Sequence, residues 1–447
     1  MSMTALKTSA DGQLRWTNWA RNETATPATL SRPATVEQIS DAITAATAQR
    51  LPVKALGAGH SFTAIASAHG GAAIDLSSWS GVESADVASG LVTVRSGTTI
   101  KQLNAALDRL GLAMANLGDI DAQTISGAIS TGTHGTGAQL GGIATQVVAL
   151  QLVLADGSVV TCSADERPDL FSAARVGLGA LGVISTVTLR CERSFCLRAD
   201  ERPVPLEEVI ERLDELIIGH DHMEFYWFPY GRKALVKRND RLPLDAAARP
   251  LSRAREFFEY TVMENGVWGT MCRLGRAVPR LVSPLNGLAS IALSPRTYSD
   301  ASHRVFVTER NVRFVESEYA VPRESLVDVL TELRSMVPTL PHPVMMPVEV
   351  RVAAADDIWL STAYQRDSAY FAIHQYPGMP YLEYFDAFER IVAQVGGRPH
   401  WGKMHSLDAA VLRERYPRFE DFRRVRAEVD PEQVFRNSYV DRVLGLT

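Results

Sequence analysis

Two groups of residues have types and spacings that could do chemistry, and they lie far apart in the chain. The first is Gly57-Ala58-Gly59-His60-Ser61-Phe62-Thr63, which follows the mostly apolar Leu51-Pro52-Val53-Lys54-Ala55-Leu56. Two glycines around one small residue let the backbone turn tightly and bring its N–H groups close to an anion. A histidine at the exit of such a turn is held beside whatever the turn binds. The stretch therefore reads as a diphosphate cradle with His60 set against a cofactor. The plainer alternative is a glycine-rich turn with an incidental surface histidine.

The second group is Glu349, Arg351, His374, His400 and Lys403. Glu349 and Arg351 are two apart on a strand candidate, so their side chains share one face. Such a pair can hold an alcohol or carbonyl oxygen; a structural ion pair is the alternative. His374 sits on an apolar strand candidate, where a lone histidine is more often a satisfied core residue. Lys403 follows His400 and Trp401. A lysine among aromatics can be desolvated and lose basicity, or it can simply be exposed.

The elements between must bring these groups together. Thr35 caps a helix predicted over 36–49, with Val36, Ile39 and Ile43 on one face. Strand 51–56 leads into the glycine turn, and 100–110 has helical periodicity. Asn116 to Gly142 holds seven glycines in 27 residues. Its centre, Ser130-Thr131-Gly132-Thr133-His134-Gly135-Thr136-Gly137, has no apolar side chain to bury. It reads as a long loop whose hydroxyls and backbone face a polar ligand, or as a plain surface loop. Asp156-Gly157 predicts a hairpin between Val147–Leu154 and Ser158–Cys162. Gly177 to Gly182 matches G-x-G-x-x-G, but it follows a helix and opens a strand. A nicotinamide fingerprint runs the other way, so close backbone packing is the better account. Further on, the sequence predicts a helix at 206–216, an aromatic strand from Phe225 to Tyr230, strands within 305–319, 344–352 and 370–376, and helices at 322–337, 381–395 and 421–429. Residues 1–24 are polar and read as loosely ordered until Trp16 and Trp19 dock.

Composition excludes several classes. A length of 447 residues implies two domains, and 46% apolar with 22% charged residues is globular. A net charge of −5 leaves no basic footprint for nucleic acid. No apolar run is long enough to span a membrane, and no export signal is visible. Four cysteines without a C-x-x-C pair suggest reduced thiols and a cytoplasmic location. The ten histidines lack metal-site spacing, and no G-x-S-x-G elbow is present.

Taken together, the motifs resemble the vanillyl-alcohol-oxidase-type flavoproteins, in the sugar-lactone and alditol oxidase branch. The resemblance covers nearly the whole chain. It is carried by Gly57 to Phe62, Ser126 to Gly135, Gly179 to Val183, Glu349-Val350-Arg351 and Arg398 to Lys403. It implies an α+β fold of two domains, an FAD-binding domain and a substrate cap with an antiparallel sheet. The expected boundaries are 1–195, 196–395, and a closing segment 396–447.

It also implies FAD held by Gly57, Ala58, Gly59, His60, Ser61, Phe62, Gly118, Asp119, Thr124, Gly127, Ser130, Thr131, Gly132, His134 and Gly137, with Val183 and Ile184 at the adenine end. His60 matches the histidine that this branch joins covalently to the flavin. Glu349, Arg351, Lys403 and His374 match catalytic positions; Tyr376, His400 and Asp119 match substrate-side ones. Asp119 stands where relatives often carry a small hydroxyl residue. His374-Gln375-Tyr376 and the aromatic strand are similar to the lactone-oxidising members.

The implied reaction is oxidation of a sugar 1,4-lactone, such as L-gulono-1,4-lactone, to the 2-keto lactone. Gly118 aligns where a small residue admits oxygen, implying an oxidase that releases hydrogen peroxide. An alditol or other carbohydrate oxidase, a dehydrogenase using a cytochrome or dye, and a flavin carrier without turnover are the competing readings.

Overall fold

The computed structural model describes residues 6–8, 12–243, 246–308 and 310–446. Part of the 1–24 reading therefore lies outside the described residues. Within them, Leu14–Thr17 is a strand and Trp16 is fully buried.

Helix α1, Val36–Ala48, is capped by Thr35, whose side chain accepts from the Gln38 N–H, and it buries Ile39, Ile43 and Ala46. Strand β1, Val53–Leu56, pairs in parallel with Ala72–Asp75 and delivers the chain into the turn at Gly57. Helix α2, Ile100–Arg109, begins with a capping box between Thr99 and Gln102.

The stretch 116–142 corrects the sequence reading. It is not loop throughout: Ile125–Ser130 forms a short helix, α3, capped by Thr124 and anchored by buried Ile125, Ala128 and Ile129. The i, i+3, i+4 pattern is there, but only six residues long and broken in composition by Gly127 and hydroxyls. The Asp156-Gly157 hairpin forms as predicted. Its outer and inner strands join Val183–Arg190 (β2), Leu91–Arg95 and Val82–Asp86 in a five-stranded antiparallel sheet.

The second half is built on an eight-stranded antiparallel sheet. Its strands are β3 Cys196–Pro205, β4 His222–Trp227, β5 Lys233–Arg241, β6 Arg296–Ala301, β7 Val315–Pro322, β8 Val348–Ala353, β9 Ser368–Gln375 and β10 Arg398–Pro399. They lie in the order β6-β3-β5-β4-β8-β9-β7-β10. One sheet face packs on helices Leu326–Met336 and Leu382–Gln394, burying Val350, Phe371, Ile373, Leu330 and Phe388 in one core.

Other predicted elements shift. The helix read over 206–216 is two, Leu206–Glu211 and Leu213–Ile218, broken at Arg212. The span 305–319 does hold a strand, from Val315, but its first two residues, Val305 and Phe306, end a short helix, Ser302–Phe306. The helices between Arg253 and Ala292 were not predicted at all.

The C-terminal segment returns to the first half. Tyr416, Phe422, Tyr439 and Val443 share a core with Val92, Leu103 and Ile129. The Asn437 side-chain amide donates to the carbonyls of Ala64, Ile65 and Ser67, just beyond the glycine turn. Among the described residues, no helix is long and apolar enough to cross a membrane.

Candidate active site

The register of the large sheet explains why so much charge gathers on one face. Lys237 of β5 lies opposite Glu224 of β4. Glu224 lies opposite Arg351 of β8, and Tyr226 opposite Glu349. Across the next strands, Glu316 of β7 faces His374 of β9, and Glu318 faces Ala372. Side chains two apart on a strand share a face, so Glu349 with Arg351 and Glu316 with Glu318 point the same way. The opposite face is the apolar core. Every one of these ionisable groups is buried, and a buried charge is tolerable only when paired.

They are paired in two networks. In the first, Asp119 takes Arg351 on one carboxylate oxygen and Arg310 on the other. Arg351 also binds Glu349, and its Nε lies 2.9 Å from Glu224. Lys237 binds Glu224 at 2.9 Å, and the Tyr226 hydroxyl donates to Glu349 at 2.9 Å. Asp119, Glu224 and Glu349 converge closely enough to hold a cation; the cations they face are Arg351, Arg310 and Lys237.

Burial alone would raise the Asp119 carboxyl, but Arg351 and Arg310 outweigh it and hold it well below the usual range. Glu224 is likewise lowered, with burial opposed by Arg351 and Lys237. Glu349 goes the other way: burial raises it and Arg351 does not fully compensate.

In the second network, Lys403 Nζ lies 2.5 Å from Glu316 and 3.7 Å from Glu318. His134 Nε2 is 2.7 Å from Glu318, and His134 Nδ1 is 2.8 Å from the Gly135 carbonyl. A carbonyl only accepts, so Nδ1 carries a hydrogen and a further proton lies between His134 and Glu318. The same logic fixes His374: its Nδ1 donates to the Pro347 carbonyl at 2.9 Å, leaving Nε2 3.5 Å from Glu316. His400 is reversed, with Nδ1 accepting from the Gly402 N–H, and burial pushes it down to about 4. Glu316 is held down at about 2; burial opposes this, and Lys403 and His374 overcome it.

Two cavities meet at His60. The first, 1050 Å³ with its open mouth, is walled by Gly57, Ala58, Gly59, Thr124, Gly127, Ser130, Gly177 and Gly179, and also by Val183 and Ile184. The second, 810 Å³, holds Phe62, Gly118, Asp119, His134, Glu349, Arg351, His374, His400 and Lys403. His60, Ser61, Gln123 and Thr131 line both. The sequence-predicted site is thus largely assembled in one place. Three predicted residues line neither cavity. Gly132 and Gly137 instead serve the backbone, both with positive φ, and the Gly137 N–H bonds the Val352 carbonyl of β8. Tyr376 packs against Arg276, 5.5 Å from its ring.

Several residues were missed. Glu316, Glu318 and Glu224 had a usable signal, an acid at alternating positions of an otherwise apolar strand. Trp19 and Arg310 had none. Trp19 stacks on His60 with centroids 5.6 Å apart.

The first cavity suits an FAD dinucleotide. A Cβ added at Gly57 would meet Thr124 Oγ1 at 2.8 Å, and Gly59 has φ +70, so glycine lets the turn run close against Thr124 and leaves its backbone lining the cavity. His60 Nδ1 is buried with no partner among the described residues, which leaves it free for a group lying across the junction. Burial, with Lys403, lowers the imidazole to about 4, so it is neutral at pH 7.

A glycine-walled dinucleotide cavity joined to a charged pocket on an antiparallel sheet defines the class: this is a two-domain, FAD-binding flavoprotein fold. The FAD-binding domain family matches residues 27–163, and the family described as D-arabinono-1,4-lactone oxidase matches 187–443. The chain belongs to the D-arabinono-1,4-lactone oxidase family. It is 42% identical to L-gulono-1,4-lactone dehydrogenase of Mycobacterium tuberculosis, over 96% of this chain and 99% of that one. It is 35% identical to L-gulonolactone oxidase of Mus musculus, over 96% and 98%. Among solved structures, cholesterol oxidase from B. sterolicum has the same fold, with a TM-score of 0.82 at 17% identity, covering 99% of this chain and 97% of that one.

Proposed function

We propose that the protein oxidises a secondary hydroxyl of a sugar 1,4-lactone, L-gulono-1,4-lactone or a close relative, to the 2-keto lactone. The observation that supports this most is the meeting of the buried, ion-paired charge face with the dinucleotide cavity at His60. Residues 1–195 are assigned to the cofactor, 196–395 to the substrate, and 396–447 to closing the site. Four unpaired cysteines suit a cytoplasmic setting.

FAD, when bound, supplies the hydride acceptor. The protein supplies placement and charge. The substrate carbon loses a hydride and its hydroxyl loses a proton, leaving a carbonyl. His374 is the proton acceptor in this reading: its Nδ1–H is held by the Pro347 carbonyl, so Nε2 is the ring atom left to take the proton. Glu316 stabilises the imidazolium formed, and Lys403 keeps Glu316 ionised. Arg351, held by three carboxylates, aims fixed positive charge at oxygen where negative charge develops. A neutral polar substrate fits a pocket whose arginines are already matched by acids.

His60 is the covalent tether. A denaturing gel tests it: the wild-type band should fluoresce under flavin excitation and the His60→Ala band should not. A dark wild-type band contradicts the tether while leaving the FAD site standing.

Oxygen is the proposed electron acceptor, reduced to hydrogen peroxide with the two electrons and two protons removed from the substrate. Gly118 lines the pocket, where an added Cβ would lie 3.0 Å from the His134 carbonyl. The 42% identity to a chain named a dehydrogenase favours a second acceptor reading. Anaerobic reduction followed by rapid mixing with oxygen separates them. Oxidase behaviour requires reoxidation at least as fast as turnover; much slower reoxidation assigns the electrons to another acceptor.

A further inference from the structure

Arg310 comes from a different place than the other charged groups of the pocket. Glu316, Glu318, Glu349 and Arg351 stand on sheet strands; Arg310 lies on the connection between helix Ser302–Phe306 and β7. That connection packs on Asp119 and Trp19, which line the pocket. The Thr308 N–H donates to the Asp119 carbonyl at 3.1 Å, the Arg313 Nε to the Trp19 carbonyl at 2.9 Å, and Phe314 meets the Trp19 ring edge-on at 5.3 Å.

The Arg310 guanidinium is only partly used. Its Nη2 donates to Asp119 and to the Tyr226 hydroxyl. Among the described residues, no hydrogen bond takes its Nε or Nη1. Nη1 stands 3.9 Å from Glu349 Oε2. That is too long for a hydrogen bond, but an oxygen placed between them could be near 2.8 Å from each. The Glu349 Oε1 is already occupied by Arg351 and Tyr226. So a donor and an acceptor stand 3.9 Å apart, and one oxygen set to the side of the line between them would bridge the opening. A hydroxyl fills it completely, accepting from Arg310 and donating to Glu349; a carboxylate, which cannot donate, does not. The Arg310 side chain is 26% exposed against 10% for Arg351, so Arg310 stands nearer solvent than Arg351.

We propose that Arg310 and Glu349 form a hydroxyl slot that reads the hydroxylated side chain of the lactone while the ring reacts deeper in the pocket. This rests on the sugar-lactone reading above. It makes Arg310 a substrate-binding residue that sets specificity, and it makes a ring bearing a neutral polyol side chain the preferred substrate class.

The test compares two substrates in the intact holoprotein: L-gulono-1,4-lactone, and the four-carbon 1,4-lactone of the same ring configuration, which lacks the side chain. Wild type should favour the first in kcat/KM by about tenfold or more, as for a charge-assisted hydrogen bond. In Arg310→Met and Arg310→Gln that preference should collapse toward one, mainly through KM for the larger lactone. Variants that keep the wild-type preference overturn the slot, as does a wild type without preference. A wild type whose flavin neither lactone bleaches removes the lactone reading itself, and the slot with it. Flavin absorbance per polypeptide, unchanged in both variants, separates loss of the slot from loss of the fold.

Discussion

Arg351→Met should lower the rate of flavin reduction by saturating lactone about a thousandfold, the upper range for removing one preorganised charge donor. The substitution removes more than a donor. Among the described residues, Arg351 is the one cation that touches Asp119, Glu224 and Glu349 together. Without it, three buried carboxylates face only Arg310 and Lys237. Leaving a buried charge unpaired costs roughly 3–5 kcal/mol, so the urea midpoint should fall as well. Arg351→Lys keeps the charge but not the fork, and a single ammonium cannot serve three carboxylates in fixed directions. It should recover part of the stability and little of the rate. Stopped-flow reduction measures one effect and urea unfolding the other. A reduction rate within threefold of wild type would remove Arg351 from the mechanism.

Lys403→Met should slow reduction about a hundredfold and change how stability depends on pH. In wild type Glu316 titrates near 2, below its ordinary 4.5. A depressed carboxyl stabilises the fold above the unfolded value, and that contribution is lost as pH falls from about 4.5 toward 2. Lys403 is the main cation lowering it, so the variant loses the contribution at pH 7. Wild type should be clearly the more stable at pH 7, and the gap should narrow on acidification. Urea midpoints at pH 7 and near pH 4 read it. A gap that widens toward low pH would contradict the Glu316–Lys403 pairing.

How much of this was legible in the sequence depended on how local the signal was. The glycine turn, His60, the Asp156-Gly157 hairpin, and the shared face of Glu349 and Arg351 are each fixed by neighbours a few residues away. Helix α3 was missed because its apolar pattern spans one turn and a half amid glycine and hydroxyls. The other half of the charge network depends on register between strands far apart in sequence. Nothing near Glu224 says that it will lie opposite Arg351, or that Lys237 will lie opposite Glu224. Arg310 reaches the pocket from a connection with no periodicity, so only the folded chain could place it. Gly132 and Gly137 show the converse: the composition pointed to a ligand, while the backbone uses their positive φ. Acid pairs at alternating strand positions, as in Val315-Glu316-Ser317-Glu318-Tyr319, were readable in advance, because buried faces do not carry charge without a partner.

The central claim is that a sugar 1,4-lactone gives its hydride to a flavin held at His60. Anaerobic mixing of the purified yellow protein with L-gulono-1,4-lactone, followed at the flavin's long-wavelength absorption band, tests it most directly. The account predicts full, saturable bleaching that is lost or profoundly slowed in Arg351→Met. A flavin band left unchanged by L-gulono-1,4-lactone and by a panel of related 1,4-lactones, while dithionite still bleaches it, would contradict the account.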